Sequence, residues 1–203
     1  MKEAIITYMP NGIDWAQVPV ISISEPLRPL EADVTAWAQI CYTDQALELH
    51  LSTTEDEVRR EENGLLGMPC RDSCLEFFIR PIGEDIRYLN YEFNSSGCMY
   101  LGFGTSPEDL IRLVPGDEKQ NALFQPVMQL RSDGWDLYFR IPYTFLRQFF
   151  PSFQPVSGGT IRANFYKCGD LLAKPHYLMW NPITRKGRSL FHTPAEFGQL
   201  IFE

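Results

Sequence analysis

The residues best placed to do chemistry in this sequence are two glutamates on neighbouring runs that alternate in polarity. Glu76 lies within CLEFFIR (residues 74–80) and Glu92 within YLNYEFN (residues 88–94), each between two apolar or aromatic residues. Because side chains alternate between the two faces of a strand, each glutamate faces away from those neighbours. If the two strands are adjacent in a sheet, the carboxyls share one face and could act on a ligand together.

Three interpretations of this carboxyl pair are open. A glycosidase places two carboxylates about 5–5.5 Å apart when it retains the anomeric configuration, and about 6.5–9.5 Å apart when it inverts it. A binding protein would use the same carboxyls to hydrogen-bond the hydroxyls of a ligand. The third interpretation is structural: exposed strand glutamates that form surface ion pairs, since glutamate is rarely fully buried.

Aromatic residues and further polar groups favour binding, with a sugar as the ligand. A pyranose stacks an apolar face on an aromatic ring, and its hydroxyls need planar donors and acceptors. Trp180 precedes Asn181-Pro182, a turn signal that places the ring where a strand gives way to a loop. A ring there is either part of the core or a stacking platform. The candidate ligand-binding residues are Trp180, Glu76, Glu92, Asn94, Asn164, Tyr166, Lys167 and Arg71.

Signatures of other catalytic and metal chemistry are weak. The sequence has no Gly-x-Ser-x-Gly motif, and its histidines have no patterned serine or cysteine partner, so we assign no catalytic residue. His192 is expected to hold a loop in place by hydrogen bonds. Cys70 and Cys74 are separated by three residues with no second pair, a spacing that does not by itself predict zinc. We expect no cofactor; a Ca²⁺ ion in the acidic loops is left open, without assigned ligands.

Short strands must position these side chains. Runs at residues 36–42 and 47–52 predict a hairpin, and those at 74–80, 88–94 and 99–103 predict an antiparallel meander. Asp133-Gly134 predicts a tight turn between two further strand candidates, because these residues accept positive φ. The best helix candidate is 142–150, and 107–121 is expected to be a polar loop.

The pattern as a whole predicts an all-β fold. About ten to twelve short strands with turn signals at hairpin spacing are typical of an antiparallel β-sandwich, here with one or two short helices. The chain has 203 residues and 44% hydrophobic residues, enough for a full core without disulfides or metal ions. With no internal repeat or linker in view, we predict one domain over residues 1–203.

Net charge and hydropathy limit the classes of partner that the protein could bind. A net charge of -8 argues against nucleic acid or an anionic membrane, and no run approaches the roughly 20 apolar residues of a membrane span. The lack of an export signal predicts a cytoplasmic protein with reduced cysteines. An exported protein whose leader had been cleaved off would show the same sequence, and it would be periplasmic or extracellular. The expected partner is a mono- or oligosaccharide, and the oligomeric state is left open.

Five motifs in order resemble family 9 carbohydrate-binding modules, and most closely the stand-alone bacterial members. The resemblance runs from about residue 36 onward, and two of the motifs together, the first and the last, are fairly specific. The motifs are DSCLEFFI (residues 72–79), YEFNSSG (91–97), RANFYK (162–167), WNP (180–182) and FHTPAEFG (191–198).

This resemblance implies a DOMON-like β-sandwich that holds the terminal sugar of a glycan, without catalysis, in bacterial polysaccharide utilisation. Family members clamp the sugar between two tryptophans; Trp180 matches the second of these, and Glu76 matches a polar contact. The first tryptophan is expected just before Asp72, where Met-Pro-Cys-Arg (residues 68–71) stands, and Glu92 stands where an arginine contact is expected. The alternatives are a small glycoside-active enzyme using both glutamates, or a scaffold that has lost its ligand and mediates protein contacts.

Overall fold

Fourteen strands and two α-helices occupy the residues that the computed structural model describes, which are 1–114, 119–185 and 190–203. The strands are β1 Glu3–Tyr8, β2 Ile21–Ser22, β3 Glu25–Pro26, β4 Val34–Tyr42, β5 Ala46–Glu55, β6 Cys74–Arg80, β7 Tyr88–Asn94, β8 Met99–Gly104, β9 Ile111–Arg112, β10 Val127–Arg131, β11 Gly134–Pro142, β12 Thr160–Gly169, β13 His176–Met179 and β14 Gly198–Phe202. The helices are α1 Lys119–Phe124 and α2 Tyr143–Phe149. None of the helices in these residues is long and apolar enough to cross a membrane.

The strands form two sheets that strand β1 joins along one side. Sheet A has the order β14-β12-β6-β7-β8-β9, with β13 also paired to β12, and β3 to β13. Sheet B has the order β10-β11-β5-β4, with β2 paired to β4. Strand β1 pairs in parallel with β14 through residues 3–6 and with β4 through residues 7–8. The predicted β-sandwich is confirmed, and these two parallel pairings are the departure from the expected antiparallel pattern.

The main core lies between the sheets and follows the period of two. In β11, Trp135, Leu137, Phe139 and Ile141 all face inward and are at most 3% exposed. Sheet A supplies the opposite layer, in which the Phe77 and Phe165 rings lie 4.9 Å apart. Burial of alternate apolar side chains from two facing sheets stabilises the sandwich in the way that the sequence pattern predicts.

Local predictions agree with the structure at most turns. Residues 36–42 and 47–52 lie in the β4–β5 hairpin, and the meander is β6–β7–β8. At the β10–β11 turn, Gly134 has a φ of 156°, and a Cβ there would lie 1.9 Å from the Thr53 carbonyl oxygen. Helix α2 matches the predicted helix. The prediction of a continuous loop over 107–121 was wrong, because β9 and the start of α1 fall within it; residues 115–118 lie outside the described residues.

Sheet A is also covered on its outer face, the face turned away from sheet B. There the strands pack against the chain that follows β12 and β13, which forms a second apolar cluster separate from the main core. A strand buried on both faces loses the exposed side that its polar residues would otherwise occupy. This second layer therefore decides the surroundings of the two glutamates. Its buried members are Cys74, Phe78, Tyr88, Tyr166, Cys168, Met179, Phe191 and Phe197.

Candidate functional site

A cleft of about 600 Å³ lies on the outer face of sheet A. Its strand residues come from β6, β7, β8, β12 and β13, and the loops around these strands supply the rest. Such a volume is within the range of small-molecule sites, which are roughly 300–1,000 Å³. The lining residues are Leu27, Arg28, Met68, Cys70, Glu76, Glu92, Tyr100, Leu110, Cys168, Asp170, Tyr177, Leu190, Phe191 and His192.

Strand register places the two glutamates side by side in this cleft. Glu76 of β6 pairs directly with Glu92 of β7, and the same row continues to Tyr166 of β12 and Tyr100 of β8. Directly opposed residues in an antiparallel pair have Cβ atoms about 4.5–5.5 Å apart and project from the same face. The predicted shared face is confirmed, whereas the structural interpretation as exposed residues is wrong: Glu76 is 3% exposed and Glu92 5% exposed.

The carboxyl of Glu76 lies among thiols. Cys168 donates its Sγ hydrogen to Glu76 Oε1 at 2.9 Å, and Cys74 Sγ lies 3.8 Å from the same oxygen. Burial raises the pKa of Glu76 to about 7, since a carboxylate loses its hydration there. Glu76 forms no ion pair with any of the described residues.

Glu92 has a similar environment, with one amide donor. Asn90 Nδ2 donates to Glu92 Oε1 at 2.7 Å. Burial raises the pKa of Glu92 well above its usual range, and the neighbouring Glu76 raises it further. The pair therefore holds at least one proton at neutral pH. Two adjacent carboxyls, of which at least one is protonated, offer a hydrogen-bond donor and acceptors at one place.

Aromatic rings form one side of the cleft. Phe191 stacks on Tyr166 with a centroid distance of 4.0 Å and meets the edge of Tyr177 at 6.2 Å. The Arg28 guanidinium lies over the Tyr177 ring, 4.5 Å from its centroid. Stacked aromatic rings hold one another in fixed orientations. The cleft thus combines an apolar aromatic wall with polar groups on the sheet, the combination expected of a sugar site.

His192 also borders the cleft, and its ring lies 4.9 Å from the ring of Phe78 in strand β6. Its Nδ1 lies 2.7 Å from the Tyr88 hydroxyl, so the predicted loop-holding hydrogen bond is present. Burial lowers the pKa of His192 to about 4, which leaves the imidazole neutral at neutral pH. The other ring nitrogen, Nε2, has no hydrogen bond to any of the described residues.

The structure corrects the assignment of Trp180 as a stacking platform. Because Met179 pairs with Tyr166 on the outer face, Trp180 is turned to the opposite face. It is 4% exposed and belongs to the main core, where its ring packs against Gly198 and lies 5.9 Å from the Phe165 ring. No face of this ring is available to a sugar.

Lys167 is likewise on the inner face, because it alternates with Tyr166. Its Nζ forms an ion pair with Glu55 at 2.9 Å and lies 2.9 Å from His176 Nε2. Both partners of the ion pair are almost fully buried, with side-chain exposures of 0% and 2%. The assignment of Lys167 as a ligand contact is therefore wrong; it links the two sheets inside the protein.

The other candidate residues support the cleft from outside it. Tyr166 lies beneath Phe191 and donates its hydroxyl to the Phe191 carbonyl at 2.9 Å. Asn164 and Asn94 are fully buried, and their amides bond to surrounding backbone and side-chain groups. Arg71 is half exposed and pairs with Glu62 at 3.3 Å. None of the four borders the cleft.

Several lining residues were missed because loops bring them in. Arg28 follows β3, Asp170 follows β12, and residues 190–192 lie in the loop between β13 and β14. Loop residues have no periodicity that would predict their direction. For Tyr177 a signal existed, since it alternates with Leu178 in a short strand and shares the outer face with Met179.

Comparison with known proteins identifies similar sequences and folds. The family model for carbohydrate-binding family 9 matches residues 9–202. Among solved structures, a proposed carbohydrate-binding protein from Bacteroides uniformis is 28% identical, with a TM-score of 0.78 over 100% of this chain and 99% of that one. Curated proteins gave no match.

Two further similar structures are of a family 9 carbohydrate-binding module from Caldicellulosiruptor kristjanssonii. The complex with glucose is 17% identical, with a TM-score of 0.67 over 100% of this chain and 96% of that one. The complex with cellotriose is 16% identical, with a TM-score of 0.65 over 100% and 94%. At this level of identity the likeness concerns the fold.

Proposed function

Because this chain belongs to carbohydrate-binding family 9, we propose that it is a non-catalytic carbohydrate-binding protein whose sugar site is the cleft on the outer face of sheet A. Family membership supports the function, and the cleft supports the location. Neither the enzyme nor the ligand-free scaffold is favoured by these findings.

One observation carries the location: Glu76 and Glu92 are cross-strand neighbours in the cleft, at least one of them is protonated, and both lie beside the aromatic wall of Tyr177 and Phe191. Vicinal hydroxyls of a pyranose each donate and accept a hydrogen bond, so a half-protonated carboxyl pair matches them. The apolar face of the same ring would lie against the aromatic wall.

Charge favours a neutral sugar in this cleft. Glu76, Glu92 and Asp170 all line it, and an acidic sugar would bring a further negative charge close to them. Among the described residues that line the cleft, Arg28 is the positively charged one, and its guanidinium lies over the Tyr177 ring. Since the Caldicellulosiruptor structures were solved with glucose and cellotriose, neutral glucose-based sugars are the first ligands to test.

Isothermal titration calorimetry against neutral mono- and oligosaccharides, glucose and cellotriose included, tests this proposal. We expect at least one ligand with a Kd of about 10⁻⁴ to 10⁻⁶ M, or roughly 5.5–8 kcal/mol. Glu92→Met, which keeps the side-chain length and removes the polar atoms, should weaken binding at least tenfold.

The matched control is Glu48→Met. Glu48 is also a largely buried strand glutamate, but it lies in sheet B beside Arg140 and away from the cleft. Its replacement should leave the sugar affinity unchanged. Absence of heat across the whole panel, or equal weakening by both variants, would count against the cleft as the sugar site.

A further inference from the structure

Two thiols and a carboxyl converge beside the cleft, in a pattern that the sugar site does not require. Cys74 Sγ, Cys168 Sγ and a carboxylate oxygen of Glu76 all lie within 4.8 Å of one another. Cys74 and Cys168 are direct cross-strand partners of β6 and β12, and Glu76 follows two residues after Cys74 on the same face. All three side chains are at most 3% exposed.

We propose that Cys74, Cys168 and Glu76 bind a thiophilic divalent cation of the Zn²⁺ class, with one coordination position open to the cleft. Zn–S bonds of about 2.3 Å and Zn–O bonds of about 2.0–2.2 Å place tetrahedral ligand atoms roughly 3.5 Å apart. The two separations around Glu76 Oε1, 2.9 Å to Cys168 Sγ and 3.8 Å to Cys74 Sγ, lie on either side of that value.

The donor set determines the class of cation. Thiolates favour Zn²⁺ and similar soft or borderline ions over Ca²⁺ and Mg²⁺, which take oxygen ligands. Three protein ligands with an open fourth position are typical of zinc sites that bind a further small ligand. Cys168 and Glu76 border the cleft, so an ion could enter from that side.

The surroundings of Glu76 support this site independently. A buried carboxyl is ordinarily paired with a cation, because an isolated buried charge is costly. Among the described residues the groups that contact the Glu76 carboxyl are the two thiols, and no lysine or arginine pairs with it. A bound cation would stabilise the ionised form of this carboxyl.

Binding must release protons. Burial raises the pKa of both thiols, so both are protonated at neutral pH in the ion-free protein. Forming two metal–sulfur bonds breaks two S–H bonds and passes two protons to solvent, and Glu76 releases a third wherever its carboxyl is still protonated. The affinity should therefore rise with pH, by as much as about a hundredfold per unit once Glu76 is ionised.

The experiment uses the full chain, reduced with a thiol-free reductant and freed of metal by a chelator. Cd²⁺ is the probe, since cadmium–thiolate bonds give an ultraviolet charge-transfer absorption, and Zn²⁺ is then added to compete. We expect saturation at one equivalent. The absorption should be lost in the double variant Cys74→Ser/Cys168→Ser and kept in Cys41→Ser, a buried cysteine of sheet B.

Three results would overturn the proposal: no absorption in the unaltered protein, absorption that persists in the double variant, or loss of absorption in Cys41→Ser. Glu76→Gln provides a second test that leaves both thiols in place. It should lower Zn²⁺ affinity at least tenfold while the cadmium–thiolate absorption remains at saturation. Equal Zn²⁺ affinity in this variant would exclude the carboxylate as a ligand, and the titrations contain no sugar, so they do not depend on the proposed function.

Discussion

Glu76 and Glu92 are direct cross-strand partners in a cleft, and neither forms an ion pair with any of the described residues. The outer layer over sheet A removes both carboxyls from bulk water and leaves them next to each other. Repulsion and lost hydration both favour protonation. The properties of the cleft should therefore change with pH near neutrality.

The first prediction concerns stability against pH. The folded-state pKa of Glu76 is about 7, above its ordinary value of 4.5, so the folded protein binds more protons than the unfolded chain in this interval. Stability is then fully present below pH 4.5 and is lost as the pH rises through about 7, and Glu92 adds to the loss. Urea unfolding at pH 5 and pH 8 should show a decline of a few kcal/mol.

Glu92→Gln isolates this contribution because glutamine stays uncharged at both pH values. The decline between pH 5 and pH 8 should shrink in this variant, whereas Glu3→Gln, an exposed change on β1, should leave it as it is. An unchanged decline in Glu92→Gln would show that the carboxyl pair is not its source.

The second prediction concerns the aromatic wall. Tyr177→Ala should weaken sugar binding about tenfold, or by roughly 1.4 kcal/mol, because the ring offers an apolar face at the cleft. Calorimetry at matched protein concentration measures this effect. Tyr8→Ala is the control: Tyr8 is a 41% exposed tyrosine away from the cleft, and its removal should not alter the affinity.

The third prediction separates Trp180 from ligand binding. Trp180→Phe should destabilise the protein by about 2–3 kcal/mol, because it leaves a cavity in the main core beside Gly198. Sugar affinity of the folded protein should stay within twofold. Thermal unfolding and calorimetry on the same samples test both statements. A tenfold loss of sugar affinity in a fully folded variant would show that Trp180 contributes to the sugar site.

The fourth prediction concerns the buried ion pair between Lys167 and Glu55. Lys167→Met should cost about 3–5 kcal/mol, since it leaves the Glu55 carboxylate buried without its cation. The double variant Lys167→Met/Glu55→Gln should recover part of that loss, as measured by urea unfolding. If the single and double variants are equally unstable, the loss comes from packing of the lysine stem.

Much of the fold could be predicted because it follows from short-range patterns. Alternation placed β11 and the meander β6–β7–β8 correctly, and Asp133-Gly134 located a hairpin turn. The parallel pairings of β1 with β4 and β14 could not be predicted in this way. They join segments far apart in the chain, and no local pattern determines which edge a terminal strand will meet.

The candidate site was predictable in part, for the same physical reason. The period of two puts Glu76 and Glu92 on one face, and register confirms it. The same period separates Lys167 from Tyr166, so the two could not both face the ligand. Which face of sheet A carries the cleft could not be predicted, because it depends on the chain after β13. Motif similarity could not supply that information for Trp180, whose direction depends on the pairing of Met179 with Tyr166.

The position of β1 between the two sheets has a consequence for the order of assembly. Glu3 pairs with Gln199, so β1 is made before the other strands described here and its partner β14 is made after them. During translation, β1 can already lie beside β4, while the edges of β1 and β12 that β14 will fill stay unpaired. The gap between these two unpaired edges can pair with an extended segment. Until β14 leaves the ribosome, this gap is therefore the place where another nascent chain or a chaperone would add a strand.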